Sequence, residues 1–309
     1  MKNDITINIG VIGVGHLGNF HLNQLKEIPQ VSISGIYDNN SNRAQKMSLQ
    51  HNVKSFAALN ELLNKSEAVS IVTPTNSHYS VANEALNQDC HLFIEKPITD
   101  NIEHAELLLN KAKKLKKIIQ VGHIERFNPA YSLLKNSDIQ PRFIEAHRLA
   151  EFNPRGNDVP VILDLMIHDL DIILSMIQSD IIDIRANGVK VVSSTVDIAN
   201  ARIEFKTGCV ANITASRISQ KNMRKMRLFQ EKDYITLDFQ KNIIEEYKVS
   251  EKRPNSDSED IIVELDGGEK KYVQYRKPNV PQYDALKKEL SHFVGSIQSF
   301  SKPETDGES

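Results

Sequence analysis

Apolar residues in the first third of the chain recur in two alternating rhythms. Ile5, Ile7, Ile9, Val11 and Ile12 follow strand spacing, and the segment after them reads as a helix through Glu27. The alternation then repeats. Val31 to Tyr37 is a strand, helices run from about Ser41 to Gln50 and near Ala57 to Asn64, and Ala68 to Val72 is a strand followed by a helix from His78 through Asn87. His91 to Ile94 is an apolar run of strand length. Ile102, Leu108, Leu109, Ala112 and Leu115 then mark one helical stripe, and Ile118 to Val121 is a last strand. Repeated strand and helix predict an α/β domain on a parallel, doubly wound sheet. Its boundary falls near Gly122, dividing the chain into domains 1–122 and 123–309.

From Arg142 the rhythm changes. A long helix is predicted from Val161 to Ile177, followed by strand-like segments at Ile184 to Val192, Asp197 to Phe205, Cys209 to Ser216, Met226 to Gln230, Tyr234 to Phe239 and Glu245 to Val249. Short turns such as Lys206-Thr207-Gly208 join them, so this half reads as an α+β domain on a mostly antiparallel sheet. Glu251 to Asp260, rich in Ser, Asp, Glu and Pro, reads as a solvated loop between strands.

Composition narrows the function classes. The 309 residues are 40% hydrophobic and 25% charged, a globular balance, and fit two domains at ~100 to 200 residues each. The formal net charge of −2, from 38 basic and 40 acidic residues, provides no global field for nucleic acid or anionic lipid. The lysine run Lys111, Lys113, Lys114, Lys116 and Lys117 sits over a Leu-rich stripe without interleaved aromatics, which reads as a solvated helix face. No apolar signal core follows Met1, and no run reaches the ~18 apolar residues of a membrane span, so a cytoplasmic protein with a small-molecule partner is expected. Cys90 and Cys209 lie far apart in strand-like contexts and read as buried, reduced thiols; no metal site is expected.

The chemistry concentrates at strand ends. Gly13-Val14-Gly15-His16-Leu17-Gly18 follows the first strand and opens a helix, the strand-turn-helix setting of a dinucleotide fingerprint. Gly13 allows the turn, Gly15 admits a pyrophosphate, and Gly18 lets helix and strand pack closely, with His16 and Leu17 at the helix start. Asp38 ends the second strand at the ~20-residue distance of a ribose-binding acid. Its carboxylate would repel a 2′-phosphate, so NAD is expected over NADP. Thr73-Pro74-Thr75-Asn76 follows the third strand, where Thr73, Pro74 and Asn76 are further cofactor candidates, though the same residues suit an ordinary turn. His78, at the next helix start, reads as a capping or surface residue.

The run beginning at His91 ends in Glu95-Lys96-Pro97. Strands of open α/β sheets aim their carboxyl ends at the ligand, which makes Lys96 a candidate catalytic group; a charged strand end before a Pro stop is the bland alternative. His123, Arg126 and Asn128, just after the last strand, are candidates for a polar ligand, and Arg148, Arg155 and Arg217 for a phosphate. Asp164 and His168, four apart on the long apolar helix with Asp171 beyond, suit a base whose tautomer is set by an acid. A surface pair is the competing reading, as is a metal site, which would need a further ligand.

Gly13-x-Gly15-x-x-Gly18, Glu95-Lys96-Pro97 and Asp164-x-x-x-His168, in that order, resemble the Gfo/Idh/MocA family of sugar dehydrogenases. Within it, Val121 to Pro129, Leu163 to Asp171 and Asp197 to Arg202 look most like the UDP-N-acetylglucosamine 3-dehydrogenases of lipid A amino-sugar synthesis. The resemblance implies an N-terminal Rossmann domain and a C-terminal α+β domain built on an open sheet. It implies Lys96 and His168 at the reacting hydroxyl, with either one as the base, Asp164 as substrate ligand and orienter, Glu95 near the cofactor ribose, and a cis Lys96–Pro97 bond. It also implies homodimers or homotetramers formed through the second domain's sheet, and one further helix beyond the position of Pro303 to Ser309. A dehydrogenase of another sugar or polyol, or a non-catalytic NAD-binding sensor, would share much of this pattern.

Overall fold

The computed structural model describes residues 5–135, 137–153, 159–252, 261–264 and 270–308. In chain order the elements are β1 Ile7–Ile12, α1 His16–Lys26, β2 Val31–Tyr37, α2 Ser41–His51, α3 Leu59–Leu63, β3 Ala68–Ile71, α4 His78–Asn87, β4 His91–Glu95, α5 Ile102–Leu115 and β5 Ile119–Gly122. There follow α6 Pro129–Ser132, β6 Phe143–Leu149, α7 Ile167–Met176, β7 Ile181–Val189, β8 Ile198–Phe205, β9 Val210–Ser216, β10 Met223–Phe229, β11 Asp233–Asp238, β12 Ile243–Ser250, β13 Ile261–Glu264, β14 Lys270–Arg276 and α8 Ala285–Ser299. They form two compact units, residues 1–127 with 284–309, and residues 128–283.

The first unit is a five-stranded parallel sheet in the order β2-β1-β3-β4-β5. Its strands are apolar on both faces because helices cover both. Ile7, Ile9, Val11 and Phe93 pack with Leu22 and Leu25 of α1, while Ile12, Val69, Leu92 and Ile94 pack with Leu62, Ala82, Leu86 and Leu108 from α3, α4 and α5. Neighbours such as Leu92 and Phe93 go to opposite cores, as the two-residue strand period requires. The lysine-bearing α5 buries Leu108 and Ala112 while Lys113, Lys114 and Lys116 are exposed, the solvated face expected of it.

A boundary near Gly122 would leave the last helix in the second domain. Instead Leu290, Phe293, Val294 and Ile297 of α8 join the core of Ile7, Leu22 and Phe93. Each such side chain contributes ~1.5–3 kcal/mol on burial, which decides where the helix packs. The segment after it adds an edge partner to β5: the Val121 N–H donates to Thr305 O at 2.8 Å, and Thr305 Oγ1 donates back to Val121 O at 2.7 Å.

The second unit is a nine-stranded sheet in the order β13-β14-β12-β11-β10-β6-β9-β8-β7. All pairings are antiparallel except β6 with β9. The strand β6, absent from the sequence pattern, is internal to the sheet. Ile144, Ala146, Ala201, Ile213, Leu228 and Leu237 face one core with Met166, Ile172 and Ile173. The segment read as one regular helix from Val161 to Ile177 begins with a π turn, Ile162–Met166, before α7. Most of the loop at Glu251 to Asp260 lies outside the described residues. Both cysteines are buried, and burial raises each thiol to about 11, which keeps them protonated and unreactive. No helix among the described residues is long and apolar enough to cross a membrane.

Candidate active site

The fingerprint turn has the geometry a pyrophosphate needs. Gly13 has φ +86°, and a Cβ there would lie 2.7 Å from Val72 O. A Cβ on Gly18 would lie 2.1 Å from Gly13 O, so α1 can approach β1 only without a side chain at that position. At Gly15 a Cβ would meet nothing within 4 Å, so the space over this residue is open to a ligand. Gly15 is the N-cap of α1 and makes no side-chain cap, which leaves the first helical N–H groups to an anion. His16 and Leu17, the next residues, are exposed.

Asp38, buried at the end of β2, accepts the Val14 N–H at 3.0 Å and the Asn40 N–H at 2.9 Å, with the Arg43 guanidinium 3.3 Å away. These contacts fix the carboxylate beside the Gly-rich turn. In the next turn, Thr73 Oγ1 is buried without a hydrogen-bond partner among the described residues, while Pro74 and Asn76 are exposed. A buried orphan hydroxyl at a strand's carboxyl end is a place for a ligand's polar group. The open space at Gly15, the fixed acid at Asp38 and this hydroxyl together fit a dinucleotide.

Glu95 and Lys96 end β4, and the Lys96–Pro97 peptide is cis. The Glu95 carboxylate is held from several directions. Oε1 lies 3.0 Å from His21 Nε2, Oε2 accepts the Lys96 N–H at 3.3 Å, and a Cβ on Gly122 would come within 3.0 Å of the carboxyl group. Burial pushes this carboxyl up, but the hydrogen bond from His21, with Lys96, outweighs it and holds the group below the usual carboxylate range. His78 is buried rather than on the surface: its Nδ1 lies 2.9 Å from Pro97 O and its Nε2 2.9 Å from Thr73 O, joining the turns after β3 and β4.

His21, Ser70 and His78 are absent from the sequence-derived site. A signal existed for the first: Gly18, His21, Leu22 and Leu25 form the buried stripe of α1, and a histidine within such a stripe demands a partner. His123 and Arg126 are buried in the turn after β5.

In the second unit, Asp164 lies in the π turn and His168 in the first turn of α7, both half-buried. The two are joined across a change of helical pitch, from the π turn into α7. Such π turns recur at functional sites. Asp171 is buried on the same helix. Asn128 caps α6, its Oδ1 accepting the Ala130 N–H at 2.9 Å while its amide nitrogen donates to Phe239 O at 3.1 Å.

Two of the three arginines proposed for a phosphate meet buried carboxylates instead. Arg148 pairs with Asp169 at 2.8 Å, and Arg217 with Asp197 at 3.0 Å, because a guanidinium removed from water needs a counter-charge. Asp197 also accepts from Ser193 Oγ and from the N–H groups of Val191, Val192 and Ser193, and these bonds hold it well below the usual carboxylate range against the opposing effect of burial. Arg155 lies outside the described residues.

Comparison with known proteins agrees with this architecture. Residues 7–123 match the oxidoreductase family with an NAD-binding Rossmann fold, and residues 113–236 match the GFO/IDH/MocA C-terminal domain. The chain is 40% identical over 244 residues to UDP-N-acetylglucosamine 3-dehydrogenase of Acidithiobacillus ferrooxidans, covering 79% of this chain and 77% of that protein. It is 27% identical to scyllo-inositol 2-dehydrogenase (NAD(+)) of Bacillus subtilis, over 69% of this chain and 68% of that one. A solved structure of the Acidithiobacillus ferrooxidans enzyme superposes with a TM-score of 0.87 at 35% identity, covering 98% of this chain and 93% of that one.

Proposed function

The chain belongs to the Gfo/Idh/MocA family of NAD-binding oxidoreductases, and from that premise we propose that it oxidises C3 of UDP-N-acetylglucosamine to the 3-keto nucleotide sugar, using NAD in preference to NADP. The observation that carries this reading is the 40% identity, over 79% of the chain, to a protein named for that reaction. A place in lipid A amino-sugar synthesis belongs to the same proposal.

Oxidation of a carbinol removes a hydride from carbon and a proton from oxygen. Bound NAD supplies the hydride acceptor. The remaining work falls to side chains: His168 takes the hydroxyl proton, Asp164 orients the imidazole and binds the sugar, and the Lys96 ammonium stabilises the developing alkoxide. Gly13, Gly15, His16, Leu17 and Gly18 would hold the pyrophosphate and Asp38 a ribose diol, with Thr73, Pro74, Asn76, Glu95 and Lys96 completing the cofactor site. His123, Arg126, Asn128 and Arg155 are the remaining substrate candidates.

We assign self-association, as dimers or tetramers, to the open sheet of the second unit. Supporting it, Phe143, Phe229, Tyr234, Tyr247 and Tyr275 form a row of rings 4.8–5.5 Å apart across five strands, on the face opposite the core. Sedimentation of the Tyr234→Glu protein as a smaller species than the wild type would bear this out.

The experiment for the reaction is a panel of sugars and polyols with NAD or NADP, read by nicotinamide absorbance. Reduction with UDP-N-acetylglucosamine and none with glucose or inositol is expected. The opposite pattern would replace the substrate, and tight NAD binding with no turnover on any compound would favour the sensor.

A further inference from the structure

His21 sits in the middle of the helix that carries the fingerprint, yet nothing in the proposed chemistry uses it. It is 1% exposed, as is Ser70 on β3. Its Nδ1 lies 2.8 Å from Ser70 Oγ and its Nε2 lies 3.0 Å from Glu95 Oε1. A hydroxyl facing Nδ1 can donate to it, and the remaining ring proton on Nε2 then points at the carboxylate. The result is a directed chain from Ser70 through His21 to Glu95.

We propose that His21, steadied by Ser70, is a positioning residue that keeps the Glu95 carboxylate ionised and in one orientation, so that the Glu95–Lys96 corner is preformed for the dinucleotide. This rests on the reading of the first unit as an NAD site. Three neighbours meet the carboxylate, α1 through His21, β5 through the bare face of Gly122, and the following residue through the Lys96 N–H at 3.3 Å, while β3 acts one step back through Ser70 on His21 Nδ1. The far side of the corner is held separately, by His78 on Pro97 O. Removing His21 therefore frees the carboxylate without releasing the loop.

The charge balance supports the same role. Burial alone would drive Glu95 toward its neutral form, and His21 is the largest influence opposing it. The titratable and charged groups acting on Glu95 are His21 from α1 and Lys96 from its own loop; β3 presents Ser70 and β5 presents Gly122, neither of which titrates. Without His21, Glu95 should take up a proton in mildly acidic solution, and NAD affinity should follow.

The test is calorimetric titration of the full chain with NAD across mildly acidic to neutral pH. In His21→Ala the dissociation constant should rise about tenfold more than in the wild type between about pH 7.5 and about pH 5.5, as the carboxylate that His21 held ionised takes up a proton. His21→Gln, whose amide can donate to Glu95, should restore the wild-type profile, and Ser70→Ala should fall between. An unchanged profile in His21→Ala, or a His21→Gln profile no different from that of His21→Ala, overturns the proposal. Should His21→Ala fail to fold, a Ser70→Ala profile identical to the wild type's overturns it equally. Failure of the wild type to oxidise any sugar would sink the functional reading while leaving these binding profiles in place, so the two failures are distinguishable.

Discussion

Arg148 on β6 and Asp169 on α7 meet in a two-point ion pair, Nε to Oδ2 at 3.0 Å and a terminal nitrogen to Oδ1 at 2.8 Å, with both side chains 2% exposed. Asp169 follows His168 directly, so this pair also fixes the turn that bears the proposed base. Removing one partner strands the other as a buried charge. Asp169→Ala should lower the unfolding free energy by about 3–5 kcal/mol in urea titration, whereas the double change Arg148→Met with Asp169→Leu should recover most of that loss. A single variant as stable as the wild type would mean that water reaches the pair.

The two glycines of the fingerprint helix should fail in different ways. A methyl group at Gly18 collides with Gly13 O at 2.1 Å, which the backbone must move to relieve, so Gly18→Ala should reduce thermal stability as well as NAD binding. A methyl at Gly15 meets nothing, and its φ of −71° suits any residue. Gly15→Ala should therefore melt like the wild type yet bind NAD at least about tenfold more weakly, since the space it fills is the ligand's. Equal NAD affinity in Gly15→Ala and wild type, by calorimetry, would move the pyrophosphate elsewhere.

If Lys96 and His168 serve the reacting hydroxyl, their removal should spare the cofactor. Lys96→Ala and His168→Ala should each lower kcat by about 10²–10⁴-fold, the range of general acid–base and electrostatic contributions, with the NAD dissociation constant within about threefold of wild type. Steady-state rates beside calorimetry separate the two effects. Unchanged turnover in both variants would remove them from the mechanism.

His91 makes the first unit acid-sensitive. Its Nδ1 accepts the Ile118 N–H at 3.0 Å, which requires an unprotonated nitrogen, and burial, aided by the charge of Lys117, lowers its pKa from 6.5 to about 4. The folded value lies below the unfolded one, so stability is intact above the unfolded pKa and is lost as pH falls toward 4, while the unfolded chain takes up a proton that the folded chain refuses. The loss should reach about 1–3 kcal/mol, measured as a falling urea midpoint between about pH 7 and about pH 4.5. His91→Asn, which can still accept the Ile118 N–H, should show a shallower fall; an identical fall would assign the acid sensitivity to other groups.

The first sheet was legible because its determinants are local: each strand is a short apolar run, and each cofactor candidate sits where a run ends, as Glu95 and Lys96 do after His91 to Ile94. β6 was not, because the inward row Ile144, Ala146, Arg148 ends on a charge, and the burial of Arg148 makes sense only with Asp169, which is 21 residues away in sequence. The stripe Leu290, Phe293, Val294 and Ile297 is visible in the sequence, but its partners Ile7 and Leu22 are at the other end of the chain. His21 was hidden for the same reason, since Ser70 and Glu95 give it meaning only after the sheet assembles. What is local in sequence marks where chemistry can occur, and what is distant decides how it is held.

Cofactor choice should turn on Asp38. Its carboxylate is fixed by the N–H groups of Val14 and Asn40 and has the half-exposed Arg43 guanidinium 3.3 Å away. In this arrangement the arginine's charge is matched by the acid, and a 2′-phosphate would face the carboxylate. Asp38→Asn keeps an oxygen for the Val14 N–H but removes the negative charge, leaving Arg43 to meet a phosphate. The ratio of NADP to NAD affinity should therefore rise by about tenfold to a hundredfold, equivalent to roughly 1.4–2.7 kcal/mol of relieved repulsion and gained attraction. The further change Arg43→Ala in the Asp38→Asn background should take most of that gain away, because the new attraction is the arginine's. Calorimetry with both dinucleotides decides it. A ratio that Asp38→Asn leaves where it was would show that the ribose of the cofactor is read by some other group.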